Sequence, residues 1–163
     1  MRIYSTGSAA EVRAAIEAGA DLNEKDEEGR TPLCEAAAQN HDPDVIRVLL
    51  EAGAVVNPPV EYHQWCDTPL HYAAKGNTLD VVRALLDAGA EVNPPQECWD
   101  DDTPLHYAAK GNTLEVVRAL LAAGADVNGG NKYYRSMTPL HYAAKENTYE
   151  VVRALLDAGA EVN

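Results

Sequence analysis

The string TPLHYAAK occurs three times, beginning at Thr68, Thr103 and Thr138, and a degenerate copy, TPLCEAAA, begins at Thr31. The spacings are 37, 35 and 35 residues. A unit that short cannot bury an apolar face alone, so the chain has to stack its copies side by side. Each copy leads into an apolar-periodic segment closed by Ala-Gly-Ala: Val45 to Gly53, Val81 to Gly89, Val116 to Gly124 and Val151 to Gly159. Four helix-turn-helix units of an all-α array follow from this pattern.

Local chemistry accounts for one unit residue by residue. Thr68 is placed to cap a first helix, with Pro69 at the first helical position, where a missing amide costs nothing. Leu70, Ala73 and Ala74 then fall on one face. Asn77 stands where the chain reverses, at a position that tolerates a left-handed backbone, and Thr78 caps a second helix. Leu79, Val82 and Leu86, flanked by Val81 and Leu85, form the expected buried stripe, with Arg83 and Asp87 toward water. Gly89 ends the helix.

The first copy departs from this scheme. Its helix-helix turn carries one extra residue (Gln39, Asn40, His41) before Asp42 caps and Pro43 restarts the chain. Ahead of it lies half a unit. Ser8 to Glu11 reads as a capping box, Val12, Ala15 and Ile16 as a second helix, Gly19 as its end, and residues 1–5 as a vestige of a first helix.

These residues resemble the ankyrin repeat, whose period is about 33 residues and whose signature is T-P-L-H-x-A. The resemblance rests on Thr68-Pro69-Leu70-His71, Val81-Val82, Leu85-Leu86, Ala88-Gly89-Ala90 and Val92-Asn93, with equivalents in the next two units. It covers nearly the whole chain. It implies a solenoid of stacked helix pairs, here a single domain over residues 1–163: a half repeat at 1–27 and repeats at 28–60, 61–97, 98–132 and 133–163. It also implies a concave face built from loops and first helices, a protein as partner, and no catalysis.

The connecting loops depart from the family form. Only Asp26-Glu27-Glu28-Gly29-Arg30 keeps a turn glycine, and there the step from Asn23 to Thr31 is 8 residues. Asn57 to Thr68 takes 11 and the two later equivalents take 10, with Cys66, Asp101 and Ser136 in the place of Gly29. The framework behaves oppositely. Thr68 to Asn93 and Thr103 to Asn128 differ only at Asp80/Glu115, Asp87/Ala122 and Glu91/Asp126. A constant support presenting variable loops is what recent duplication or engineering of a binding scaffold produces.

Loop composition singles out a recognition set: Tyr62, His63, Gln64 and Trp65 in one loop, Glu97, Trp99 and Asp100 in the next, and Lys132, Tyr133, Tyr134, Arg135 and Met137 in the last. Both tryptophans of the chain are among them, and Tyr, Trp and Arg are the types enriched at interface anchors. The competing reading is that these rings fold back as small satellite cores. Pro58-Pro59 and Pro94-Pro95 stiffen the starts of two loops and lower the ordering cost of binding.

Three further patterns invite chemistry. His71, His106 and His141 recur at one position, but stacked helices lie roughly 8–10 Å apart and a zinc–nitrogen bond is about 2 Å, so they cannot share an ion and read as structural. Tyr72, Tyr107 and Tyr142 form a second ladder, attributed to packing, and Lys75, Lys110 and Lys145 a third, read as solvated charge, with contact to an acidic ligand in the groove as the alternative. A metal or redox site from His63, Cys66 and Cys98 matches no known spacing. No nucleophile–base pair or phosphate loop is visible, so an enzyme is not expected, nor is a cofactor.

With 26 acidic against 13 basic residues the formal net charge is -13, which opposes binding to phosphate backbones. Another protein is the expected partner, with no nucleic acid and no membrane. The last repeat stops without a polar closing helix, which should leave apolar side chains such as Leu140 and Leu155 incompletely covered and makes self-association through its open face the alternative. No apolar run reaches the roughly 18 residues of a membrane span, the N-terminus lacks a signal-peptide core, and three unpatterned cysteines suit a reducing compartment, so the expected location is cytoplasmic.

Overall fold

Proline at the first position of a helix loses no hydrogen bond, and five helices of the computed structural model begin on one. The structure describes residues 3–59, 67–95, 102–129, 137–146 and 148–162. Within them the helices are α1 (Ile3–Thr6), α2 (Ala9–Glu17), α3 (Pro32–Gln39), α4 (Pro43–Glu51), α5 (Pro69–Gly76), α6 (Leu79–Asp87), α7 (Pro104–Gly111), α8 (Leu114–Ala122), α9 (Pro139–Glu146) and α10 (Tyr149–Asp157). No strand occurs among the described residues. The odd-numbered helices α1, α3, α5, α7 and α9 stack on one another, the even-numbered ones form a second layer, and each pair is packed within itself.

The second helices α2, α4, α6 and α8 start on side-chain caps. Thr78 and Thr113 accept the amides of Val81 and Val116 at 3.4 Å, Asp42 accepts that of Asp44 at 2.9 Å, and Ser8 and Glu11 form the reciprocal capping box of α2. The second helices end on glycines at positive φ, such as Gly89 at 85° and Gly124 at 91°. A Cβ at Gly124 meets no neighbour, so Gly124→Ala isolates backbone strain. It is expected to cost about 1 kcal/mol, read as a shift in urea midpoint with the slope unchanged.

The core runs through both layers. Leu70, Ala73, Ala74, Leu105, Ala108 and Ala109 are fully buried. In α6 the buried residues are Val81, Val82, Ala84 and Leu85, whereas Leu79 and Leu86 are only half-buried. The stripe is therefore centred one residue away from the expected Leu79–Val82–Leu86 line. Helix α6 packs on its own first helix α5 and on both neighbouring second helices, α4 and α8, and that broader contact draws in Val81 and Leu85.

Asparagines lock the layers. Asn77 has φ -92° and ψ 176°, an extended backbone rather than the expected left-handed one. Its side chain explains this: Nδ2 donates to the Ala37 and Asn40 carbonyls of the preceding unit at 2.7 and 3.0 Å. Asn40 reaches Tyr4 and Gly7 in the same way, and Asn112 reaches Ala74 at 2.8 Å. On the other edge, Asn57, Asn93 and Asn128 each bridge to the next unit, donating to Gly89, Gly124 and Gly159 and accepting the amides of Glu91, Asp126 and Glu161.

Candidate functional site

A first helix that begins Asp-Thr-Pro-Leu-His-Tyr buries Leu and His and leaves Asp and Tyr facing its open side. Lys, three residues after Tyr, lies on the same side one turn later. Two adjacent units, at Asp67, Tyr72 and Lys75 and at Asp102, Tyr107 and Lys110, present this strip, and together they line an open groove of about 750 Å³. Arg30 and Glu28 close it at one end and Glu146 at the other. Each strip runs along a helix from carboxylate through phenol to ammonium, and the groove crosses the helices.

The tyrosines are half-buried wedges between units. His71 meets the Tyr107 ring edge-on with centroids 5.9 Å apart, and His106 meets Tyr142 likewise at 5.8 Å. Lys75 Nζ lies over the Tyr107 ring at 5.8 Å and Lys110 Nζ over Tyr142 at 5.9 Å. Each lysine thus carries its charge above the phenol of the following unit, an arrangement worth about 0.5–1 kcal/mol at exposed sites. The lysine ladder, read from sequence as merely solvated, is placed on the tyrosine ladder. Burial, reinforced by the Asp67 carboxylate, pushes the Tyr72 phenol up to about 12, so its O–H is retained as a donor.

Beneath the tyrosines the histidines set the geometry. The Thr68 amide donates to His71 Nδ1 at 2.9 Å and the Thr68 hydroxyl shares the same nitrogen. Thr103 and His106 repeat this at 3.0 and 2.8 Å. Nδ1 is therefore the bare nitrogen and Nε2 carries the proton. His106 Nε2–H donates to the Met137 carbonyl at 3.1 Å, and His71 bonds the Asp102 backbone. Each imidazole so fixes the residue just before the next unit's threonine. Burial drives His71 down to about 4, keeping it neutral.

The end of the groove is also rigid. Asp26 Oδ1 accepts the Glu28 and Arg30 amides, and the Asp26 amide donates to the Arg30 carbonyl across Gly29, whose φ is 78°. The Arg30 guanidinium is held by Asp26 at 2.8 Å and by Glu28 at 2.9 Å. This is the tight turn expected from its sequence.

Of the residues selected from loop composition, Met137 alone is described. It is half-buried and accepts from His106 through its backbone, which gives it an anchoring role. Tyr62, His63, Gln64, Trp65, Glu97, Trp99, Asp100, Lys132, Tyr133, Tyr134 and Arg135 lie outside the described residues, as do Cys66, Cys98, Asp101 and Ser136. Pro58-Pro59 and Pro94-Pro95, which open two loops, come together around a hollow of about 250 Å³ with Asn57, Thr68 and Glu91. Cys34, standing where later units have histidine, is buried and receives the Thr31 hydroxyl at 3.3 Å. Among the described residues no group of three or more His, Cys, Asp or Glu is placed to hold a metal ion, and no helix is long and apolar enough to cross a membrane.

Sequence reasoning missed Asp67 and took Asp102 only as part of the acidic run from Asp100 to Asp102 in the middle loop, not as a groove residue. The signal available was the acid directly before Thr-Pro-Leu-His in both central units, against Arg30 and Met137 in the outer ones.

The family model for ankyrin repeats, in three copies, matches residues 1–96, 59–131 and 91–163. Curated proteins match over parts of the chain. BRCA1-associated RING domain protein 1 of Caenorhabditis elegans is 40% identical over 65 residues, 40% of this chain and 9% of that protein. A probable E3 ubiquitin-protein ligase, XBOS34, of Oryza sativa subsp. japonica is 44% identical over 71 residues, 42% of this chain and 13% of that protein. A putative E3 ubiquitin-protein ligase, XBAT35, of Arabidopsis thaliana is 39% identical over 71 residues, 44% of this chain and 15% of that protein. The aligned stretches thus span 9 to 15% of the length of these relatives.

Proposed function

This chain belongs to the ankyrin-repeat family, whose repeats generally serve protein–protein interaction, and we propose that it is a non-enzymatic recognition module whose protein partner docks across the groove and the three long loops. The observation that carries the reading is the pairing of a nearly copied, hydrogen-bonded framework with an open groove whose strips recur from unit to unit. Rigid presentation lowers the ordering cost of association. The ligase names of two relatives concern proteins of which this array matches a small part, and ligase chemistry is not part of the proposal.

A partner selected from a displayed protein library, then measured against Trp65→Ala, Trp99→Ala and Tyr134→Ala, tests the loop half of the proposal. Loss of at least about tenfold in affinity is expected from one or more of them, the size of a modest hot spot. Unchanged affinity in all three overturns the loop assignment. A second reading, self-association, loses the expected exposure of Leu140 and Leu155, which are buried against α7 and α8, and keeps the exposed Tyr149 (71%), Leu156 (42%) and Val162 (79%) on the last repeat. Light scattering that finds only monomer at high concentration removes it.

A further inference from the structure

We infer that the groove takes an extended polyproline-type segment of its partner, with a basic residue and an acidic residue recurring every third position, lying across α5 and α7. The inference rests on the protein-recognition reading and deepens it. Its basis is a match of periods. The two central strips are chemically identical, Asp67-Tyr72-Lys75 and Asp102-Tyr107-Lys110, and line one groove. Stacked helices are roughly 8–10 Å apart. A polyproline helix has three residues per turn and advances about 9.3 Å per turn, so each turn meets one strip.

Other backbones fit this ruler less well. A β-strand puts every second side chain on one face, a repeat of about 6.7 Å, so its same-face residues fall out of step with the strips. An α-helix returns to the same face every turn, about 5.4 Å, and every second turn at about 10.8 Å, and neither repeat matches the strip spacing.

Charge sets which rows face which. Three side-chain rows run along a polyproline helix. One basic row faces Asp67 and Asp102, one acidic row faces Lys75 and Lys110, and the third, proline, faces solvent, while the chain itself rests on Tyr72 and Tyr107. Within the groove Asp102 is half-buried and lines the floor, so its carboxylate offers an ammonium or guanidinium arriving from the groove a charge-assisted contact. The lysines already sit over phenols, so they are held above the tyrosine floor when the ligand arrives.

The test uses the full chain and three synthetic twelve-residue peptides, with affinities measured by calorimetry. One is four copies of Pro-Glu-Lys, one has the same composition in an order without triplet period, and one is an alanine-based helix with Lys and Glu each recurring every seventh residue. The triplet peptide is expected to bind at least about tenfold tighter than the other two, and Asp102→Asn to weaken it about tenfold, the loss of one charge-assisted hydrogen bond. Asp102→Asn keeps the backbone carbonyl that His71 uses, and its helical signal and unfolding midpoint confirm the fold. Equal binding of the three peptides, absence of triplet binding, or an unaffected Asp102→Asn variant overturns the inference. The recognition reading fails separately, if the loop and groove variants leave a selected protein partner's affinity unchanged.

Discussion

Replacing Asn77 by alanine is expected to lower the unfolding free energy by about 3 kcal/mol. The side chain is 3% exposed and works in both directions. Nδ2 bonds two carbonyls of the previous unit, and Oδ1 accepts the Thr78 amide at 2.7 Å and lies 2.9 Å from His41 Nδ1. Truncation leaves the Ala37 and Asn40 carbonyls without this donor in a seam closed to water, and unmade buried bonds cost more than made ones contribute. Asn93→Ala provides the contrast. It bonds Gly124 and Asp126 but is exposed, so water replaces it and the loss should stay below about 1 kcal/mol. Urea unfolding of both variants, followed by helical signal and by hydrogen exchange at the α3–α5 seam, checks the pair. Equal losses would mean that burial of the amide is not what matters.

The same residue shows where sequence reading reached its limit. Helix starts at Pro69 and Pro104, the capping box at Ser8 and the glycine stops were legible because each depends on partners within four residues. Asn77 was read from that local context as a turn residue, yet its partners are 37 and 40 residues away, and stacking rather than turning fixes its backbone. His71 and His106 were readable as structural because stacking spaces the repeated histidines too far apart for one ion, but not as cross-unit donors to Asp102 and Met137. Asp67 and Asp102 escaped for a related reason. Each borders a variable loop in sequence, and only stacking sets the two carboxylates into one groove. Loop composition pointed to aromatic anchors outside the described residues, so the part of the site that the structure brings together is the part the repeated framework builds.

Lowering the pH from 7 to 4 is expected to remove about 3 kcal/mol of stability through His71 alone. In the folded chain His71 is held at about 4, because burial disfavours the imidazolium and Nδ1 already accepts the Thr68 amide. In the unfolded chain the ring takes up its proton near the ordinary 6.5. Across the window between those values the unfolded state binds a proton that the fold does not, so stability falls as pH falls and flattens below about 4. His106 is shifted in the same direction by burial, which steepens the slope. Glu11 and Asp26 are held below their ordinary 4.5 and 3.8, so their contribution is lost only at lower pH, and the slope above pH 5 belongs to the histidines. Urea unfolding at pH 7, 6 and 5 should show that slope in the native chain and lose most of it in His71→Gln with His106→Gln. A native chain equally stable at pH 6.5 and pH 5 would sink the assignment. Because each imidazole also holds the backbone of Asp102 or Met137, the last residue before the next unit, the acid-sensitive step lies at the seam that sets one groove strip beside the next. The folded imidazole stays neutral down to about pH 4, so partner affinity through the groove is expected to hold between pH 6.5 and pH 5 while stability falls.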